Sequence, residues 1–527
     1  MENTSNATVI IKKLQEENAI QKQQNAIQKQ QIAELNAKLE WFMEQFKLSQ
    51  HQKFGRSSEK TVTEQLSFFN EAESEAKPES FEPTVEEITY KRSKKVGHRE
   101  EMLKDLPVET IEYQLPEEEL DCDCGSKLHA MSNEVRTELK IVPPKVNVVK
   151  HVQYVYACRN CEKTDIKTTI KTAPMPKPAL PGSIASASAI AHVMSEKFVK
   201  GLPLYRQEQD WKRMGVNISR QTMANWIIKS SDRWLRPLYE RMREHLVQKD
   251  ILHADETVLQ VLKEPGRPAT SKSYMWLYRT GREGPSIVLY DYKTTRAGKH
   301  PKRFLSGYKG YLNTDGYSGY NDMSGIINVA CWAHARRGFT DALKSMPQKK
   351  NDKPTLTEEG LAFCNRLFEI EKELHDVTVE ERYEGRLIKS RPVLDKFKDW
   401  LKYYSSRVAP KTALGKAIKY CRNRWDKLEA FLLDGRLEID NNRAERSIKP
   451  FVIGRKGWLF CASQKGASAS ATVYSLVETS KENGLNPFAY LTYLFEKLPN
   501  IDIKNNDLLD SVMPWSATIP EVCKVKK

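Results

Sequence analysis

The sequence predicts a multidomain α/β protein, and three observations carry that prediction. First, the chain has 527 residues, which at about 150 residues per domain is enough for three or four structural units rather than one. Second, Pro174, Pro176, Pro178 and Pro181 punctuate it where neither a helix nor a central strand could run through. Third, helical sequence over 184–247 gives way to the β-type runs ILHADETVLQVL, KSYMWLYRT, SIVLYDYK and GYLNTDGYSGY, and after Asn328 to a long helical pattern. Lys and Arg number 84 against 69 Asp and Glu, a net charge of +15, with 39% hydrophobic and 29% charged residues. That composition is globular and excludes fibrous and wholly disordered classes. The basic excess points to a polyanionic partner, nucleic acid or an anionic membrane surface. No run approaches the roughly 20 apolar residues that a bilayer core requires. Met1 to Lys13 lacks the features of a secretory signal, so the expectation is a cytoplasmic protein whose cysteines are metal ligands or buried thiols.

The first 56 residues carry a seven-residue repeat. Ile11, Asn18, Asn25, Ile32, Leu39 and Phe46 form one register, with Leu14, Gln21, Gln28, Leu35 and Phe42 three residues on. Apolar positions in that pattern predict a coiled coil over 1–56 and hence a homo-oligomer, with Asn fixing the pairing register. The competing reading is a Gln-rich single helix, because Gln21 and Gln28 weaken the seam. Residues 57–95 follow as an acidic linker containing Ser and Pro, with few core-forming residues.

A small β-rich module spans 96–173, with VNVVKHVQYVYAC (146–158) as its clearest strand. Cys122 and Cys124 form one close pair and Cys158 and Cys161 another. Four thiolates offered from two turns are what a structural Zn²⁺ site needs. The alternative is four reduced thiols, with His129 or His151 as substitute ligands if one cysteine cannot reach. Cys331, Cys364, Cys421, Cys461 and Cys523 are too scattered to suggest a second site.

Within 183–248, LYRQEQDWKRMGVNISRQTMANWI reads as a helix, a turn at Gly215, an N-cap at Ser219 and a second helix opening with Arg220, Gln221 and Thr222. A helix-turn-helix places those first residues against base edges; a plain helical hairpin would have the same outline.

Three acids stand out. Asp255 sits in the apolar run His-Ala-Asp-Glu-Thr-Val, Asp315 ends Gly-Tyr-Leu-Asn-Thr-Asp, and Glu445 follows Ile-Asp-Asn-Asn-Arg-Ala, where the Asp440 region can cap a helix. Carboxylates converging from separate elements can clamp divalent ions for in-line phosphoryl transfer, and Mg²⁺ favours such oxygen ligands. Each also has an ordinary reading, Asp255 and Asp315 as turn caps and Glu445 as a solvated helix residue paired with Lys449. The neighbourhood of Glu445 is basic, however: Arg443, Arg446, Lys449, Arg455, Lys456 and Lys465 surround that single acid, which suits phosphate binding. Beyond it, FVIGRKGWLF reads as an extended or turning segment, and ASATVYSLVETSKENG as a helix ended by Gly484.

Taken together, HADET, NTDGYSGY, CWAHARR, IDNNRAERSIKPFVIGRKGWLF and SLVETSKENGLNPFAYLTYLF, with FGRSSEK, the cysteine quartet and the helix-turn-helix, resemble transposases of the insertion sequence 66 family. The likeness covers almost the whole chain. It implies a DDE-type recombinase with an RNase H-like core in two parts, 249–344 and 431–498, interrupted by a helical insertion at 345–430 and followed by a tail at 499–527. It implies Asp255, Asp315 and Glu445 as catalytic ligands of Mg²⁺ or Mn²⁺, with Asp440 and Glu256 their rivals. DNA would be the partner, held by Arg220, Gln221, Thr222, Arg443, Arg446, Lys449, Arg455 and Lys456, with small accessory proteins of the same element as further partners. The Cys122-Asp-Cys124 spacing departs from the two intervening residues of relatives and leaves the zinc geometry in question. Cys331 and His334 resemble a signature of several DDE groups, read either as a metal pair or as packing residues. The resemblance implies cleavage at the element's ends, then attack of the freed 3′-hydroxyl on target DNA. The alternatives are a structure-selective nuclease on the same core and a non-catalytic DNA-binding regulator.

Overall fold

The computed structural model describes residue 110 and residues 144–157, 170–345 and 354–526. The chain divides into two units, 1–142 and 143–527, and the described residues other than 110 belong to the second. The predicted coiled coil and linker, and Cys122, Cys124, Cys158 and Cys161, lie outside the described residues. Of the strand expected over 146–158, only Val155–Ala157 (β1) pairs, antiparallel to Ile170–Thr172 (β2).

After the proline-rich stretch come Ala187–Phe198 (α1), Leu204–Arg213 (α2), Arg220–Ser230 (α3) and Arg236–Leu246 (α4). The expected N-cap is present, with Ser219 Oγ accepting from Thr222 N at 3.2 Å. Trp211 and Trp226 meet edge to face at 6.2 Å between centroids and hold α2 against α3.

A six-stranded sheet follows; its first five strands are Ile251–Lys263 (β3), Lys272–Thr280 (β4), Val288–Lys293 (β5), Gly310–Thr314 (β6) and Ile326–Ala330 (β7), with Lys299–Phe304 (α5) between β5 and β6, and the sixth comes later in the chain. The strand order is β5-β4-β3-β6-β7. β3, β4 and β5 run antiparallel, whereas β6 and β7 run parallel to β3. The short sequence runs therefore pair as one sheet with β3 at its centre, and Ile251–Ala254 is buried throughout, as a central strand covered on both faces must be.

Trp332–Lys344 (α6) leads into Leu356–Glu373 (α7), Val379–Tyr404 (α8), Ala413–Asn423 (α9) and Trp425–Glu429 (α10). These helices form a hydrophobic core of their own around Trp332, Phe339, Phe397 and Phe431. Inside it Arg386, fully buried, donates to both oxygens of Glu371 at 2.7 and 2.8 Å and to the carbonyls of Phe431 and Leu437. Arg382 adds a bond to Glu371 at 2.6 Å.

The chain returns to the sheet through Asn442–Trp458 (α11), Cys461–Ser463 (β8, parallel to the far end of β3), Gln464–Glu482 (α12), Pro487–Lys497 (α13) and Asn506–Asp510 (α14). The segment FVIGRKGWLF is not extended: it is helical through Trp458. Its glycines and the preceding Pro450 suggest a turn, yet Ala444, Ile448 and Phe451 are buried at helical spacing against the sheet, and that burial outweighs the proline's missing hydrogen bond. Gly454 permits the close approach, since a Cβ there would meet Tyr474 Oη at 2.3 Å. The next helix agrees with expectation. α12 ends with Gly484 at φ +72°, a left-handed conformation that favours glycine. Ser475 and Thr479 on α12 accept from Tyr290 N and Val288 N at 2.8 and 3.0 Å, covering the edge strand β5.

Candidate functional site

The register of the two central parallel strands sets the site. His253 on β3 pairs with Asn313 on β6, and Asp255 and Asp315 each stand two residues further on. Because side chains alternate along a strand, the two aspartates continue the face that His253 and Asn313 define, Asp255 within β3 and Asp315 just past the end of β6. Both are half-buried. Asp255 Oδ1 accepts from Glu256 N and Asp315 Oδ1 from Tyr317 N, each at 2.8 Å.

The same face receives the segment that starts α11. Asn313 donates to the Glu438 carbonyl at 2.9 Å, and Asn441 donates to the Ala254 carbonyl at 2.9 Å. Asn441 Oδ1 stands 3.0 Å from His253 Nδ1, and an amide oxygen only accepts, so His253 carries its proton on Nδ1. Asn441 N also points to Cys331 Sγ at 3.2 Å. Asp440, just before the helix's N-cap Asn441, accepts from Asn442 N at 3.0 Å. These contacts fix the first turn of α11, and Glu445 on it is close enough for its charge to act on Asp255. From α6, His334 and Arg337 each approach Glu445 at 3.9 Å. Cys331 and His334 thus divide: the buried thiol belongs to the Asn441 junction, while His334 faces the acids.

Glu256 occupies a different environment. Its carboxylate is buried and bonded by Arg296 Nε at 2.8 Å and Tyr320 Oη at 2.6 Å. Arg296 in turn lies 3.9 Å over the Tyr317 ring. The cluster ties β3 to the loop after Asp315, and Glu256 is saturated by it.

Burial, then the charges of Glu256, Asp315 and Glu445, push the Asp255 carboxyl well above the usual range. Burial and Asp315 raise Glu256 too, against the pull of Tyr320 and Arg296. Burial raises Asp440, with Glu438 and Glu445 adding to it. Burial likewise holds the imidazole of His253 down at about 4 and lowers His334, against the opposing pull of Glu445 and Asp315. Among the described residues, no three His, Cys, Asp or Glu side chains are already closed around one point that could hold a metal ion. The donor set is nonetheless all carboxylate oxygen, with the charges of Glu256, Asp315 and Glu445 acting on the buried Asp255, which suits a hard divalent cation.

The basic residues expected to bind DNA separate in the same way. Arg220 and Gln221 are exposed at the start of α3, with Thr222 half-buried behind them. Arg446 and Lys449 are exposed on α11. Arg443 instead pairs with Glu438 at 3.0 Å, and Arg455 donates to Val258 O on β3. Lys456 is exposed near the end of the helix. Sequence reasoning did not find Asn441, Arg296 or Tyr320. Polar residues inside DNN and YSGY were the available signal, but their partners lie 40 to 188 positions away.

A mixed sheet presenting carboxylates from two parallel strands and a facing helix defines an α/β protein with an acidic centre. Residues 182–469, more than half of the chain, match the model of the transposase IS66 family, and the chain belongs to that family of insertion-sequence transposases. Residues 119–162 match the zinc-finger binding domain of transposase IS66, 475–515 the IS66 C-terminal element, and 41–111 the transposase C of IS166 homeodomain. Among curated proteins, the chain is 31% identical to the uncharacterized protein y4jD of Sinorhizobium fredii (strain NBRC 101917 / NGR234), over 76% of this chain and 78% of that one. It is 30% identical to y4qI of the same strain, over 78% and 76%. No described helix is long and apolar enough to cross a membrane.

Proposed function

We propose that this transposase binds the ends of its DNA element and catalyses divalent-metal-dependent cleavage and strand transfer, with Asp255, Asp315 and Glu445 as the catalytic carboxylates. The observation that carries the reading is the matched position of Asp255 and Asp315 beyond the His253–Asn313 register, with Asn441 fastening the start of the helix that carries Glu445. An antiparallel β3-β4-β5 meander extended by parallel β6 and β7 supports an RNase H-like core. Asp440 and Glu256 drop behind as rivals, the first bonded to Asn442 N and the second saturated by Arg296 and Tyr320. A divalent cation held by the three acids, Mg²⁺ or Mn²⁺, would supply the positive charge that stabilises a phosphoryl-transfer transition state. The chain's own part is to hold these oxygens in place, while exposed Arg446 and Lys449 bind phosphates beside them and Arg220, Gln221 and Thr222 contact the element's ends. Cys122, Cys124, Cys158 and Cys161 would hold zinc within the finger, which metal analysis of the purified protein and of a Cys158→Ala variant tests.

In an assay with Mg²⁺ or Mn²⁺ on duplexes carrying the element's ends, the wild type yields cleaved and joined products. Asp255→Asn, Asp315→Asn and Glu445→Gln each lose both by at least about a hundredfold. Activity surviving these changes refutes the assignment. Cleavage without joining would favour a nuclease, and binding without either would favour a regulator.

A further inference from the structure

α11 carries a second feature at its far end. After Trp458 the helix does not unwind through a glycine. Leu459 takes φ +61° and ψ −52°, and Phe460 N donates back to Trp458 O at 2.7 Å. This is a γ-turn with positive φ at its centre, a rare and strained conformation for a leucine. The turn projects apolar side chains outward: Leu459 is 63% exposed and Phe460 41%, and on the helix nearly two turns earlier Ile453 is 52% exposed. Strain that exposes apolar surface has no folding benefit of its own.

The surroundings say what covers it. Arg446, Lys449, Ile453 and Lys456 follow one another at spacings of three and four residues along α11, so they share a face, and all four are exposed. Lys465 is exposed just beyond β8. A cationic stripe therefore begins one residue after Glu445 and ends at an apolar tip. The 14 residues from Glu445 to Leu459 span about 20 Å at 1.5 Å each, the length of about six base pairs of duplex. Phosphates along a stripe with a base stack at its end match DNA, whose bases offer apolar faces between anionic backbones. A second copy of this strongly basic chain would bring like charges together.

We propose that the Leu459–Phe460 turn is a wedge that stacks on, or opens, a base step about six base pairs from the phosphodiester that is cut. The proposal rests on the reading of Glu445 as part of the cleavage centre, and it adds a contact that senses base stacking to one that senses phosphate. Leu459→Gly removes the side chain while relieving the strain, so folding is retained; Phe460→Ala completes the removal. The test uses duplexes copied from the element's end, with 2-aminopurine placed at successive positions. Wild type should raise the fluorescence of one step about six base pairs from the cleaved bond. The double variant should abolish that rise and bind about tenfold more weakly, with an unchanged salt dependence. Lys449→Gln should instead lower the salt dependence and keep the fluorescence change. A double variant that binds like wild type with its fluorescence change intact, or one that loses self-association and nothing else, overturns the wedge. Those outcomes stand apart from the cleavage centre itself, which falls only if Asp255→Asn still cuts.

Discussion

Glu371 and Asp255 are both acids carried into folded protein, and their surroundings are opposite. Around Glu371, burial alone would raise the carboxyl, but bonds from Arg386 and Arg382 outweigh it and hold it below the usual range. Around Asp255, burial has no such answer: the nearest charges are Glu256, Asp315 and Glu445, and each raises it further. The helices α7 and α8 match their buried charges with opposite ones, as structural interiors do. The β3–β6 end gathers like charges instead and so is held in a state that a cation would relieve. On the proposed function, that contrast separates acids that serve the fold from acids that would hold the cation.

Breaking the paired side should have the largest effect. Arg386→Met leaves Glu371 buried with half its partners gone, and should cost about 3–5 kcal/mol in urea unfolding. Next is the junction that positions Glu445. His253 binds its proton near pH 4 in the folded chain and near 6.5 unfolded. Between those values the unfolded state therefore holds more protons, so stability present above pH 6.5 falls as the pH drops towards 4, by about 3 kcal/mol. His253→Gln should flatten unfolding free energy against pH in that window. A smaller effect of opposite sign belongs to the unpaired side: Asp255→Asn removes a repelled charge and should melt above wild type in calorimetry without divalent metal, although it abolishes cleavage. Smallest are the surface charges. Arg446→Gln should lower the salt slope of DNA binding by about one, whereas Arg443→Gln, whose partner is Glu438, should change stability more than that slope.

Legibility in the sequence followed the same division. Local features were readable: the Ser219 cap, the β-type runs, the helix ended by Gly484, and acids placed by the apolar runs before them. The apolar spacing Ala444, Ile448, Phe451 could have marked α11, but Pro450 and the glycines masked it, because the packing of Phe451 and Gly454 against Tyr474 is invisible before the sheet is assembled. The partners of Asp255, Glu256 and Glu445 were not readable, since strand register and the Asn441 junction bring together residues nearly two hundred positions apart. Basic residues looked alike in sequence, and only the fold separates Arg443, held by Glu438, from Arg446, exposed beside the acids.

The most direct test is the melting temperature of wild type and Asp255→Asn with and without Mn²⁺. Without metal the variant should melt higher. Mn²⁺ should raise wild type towards or past the variant and leave the variant nearly unmoved, with Asp315→Asn behaving alike. An equal Mn²⁺ shift in all three, or a variant that melts below wild type in its absence, would contradict an acidic centre built to receive a divalent cation.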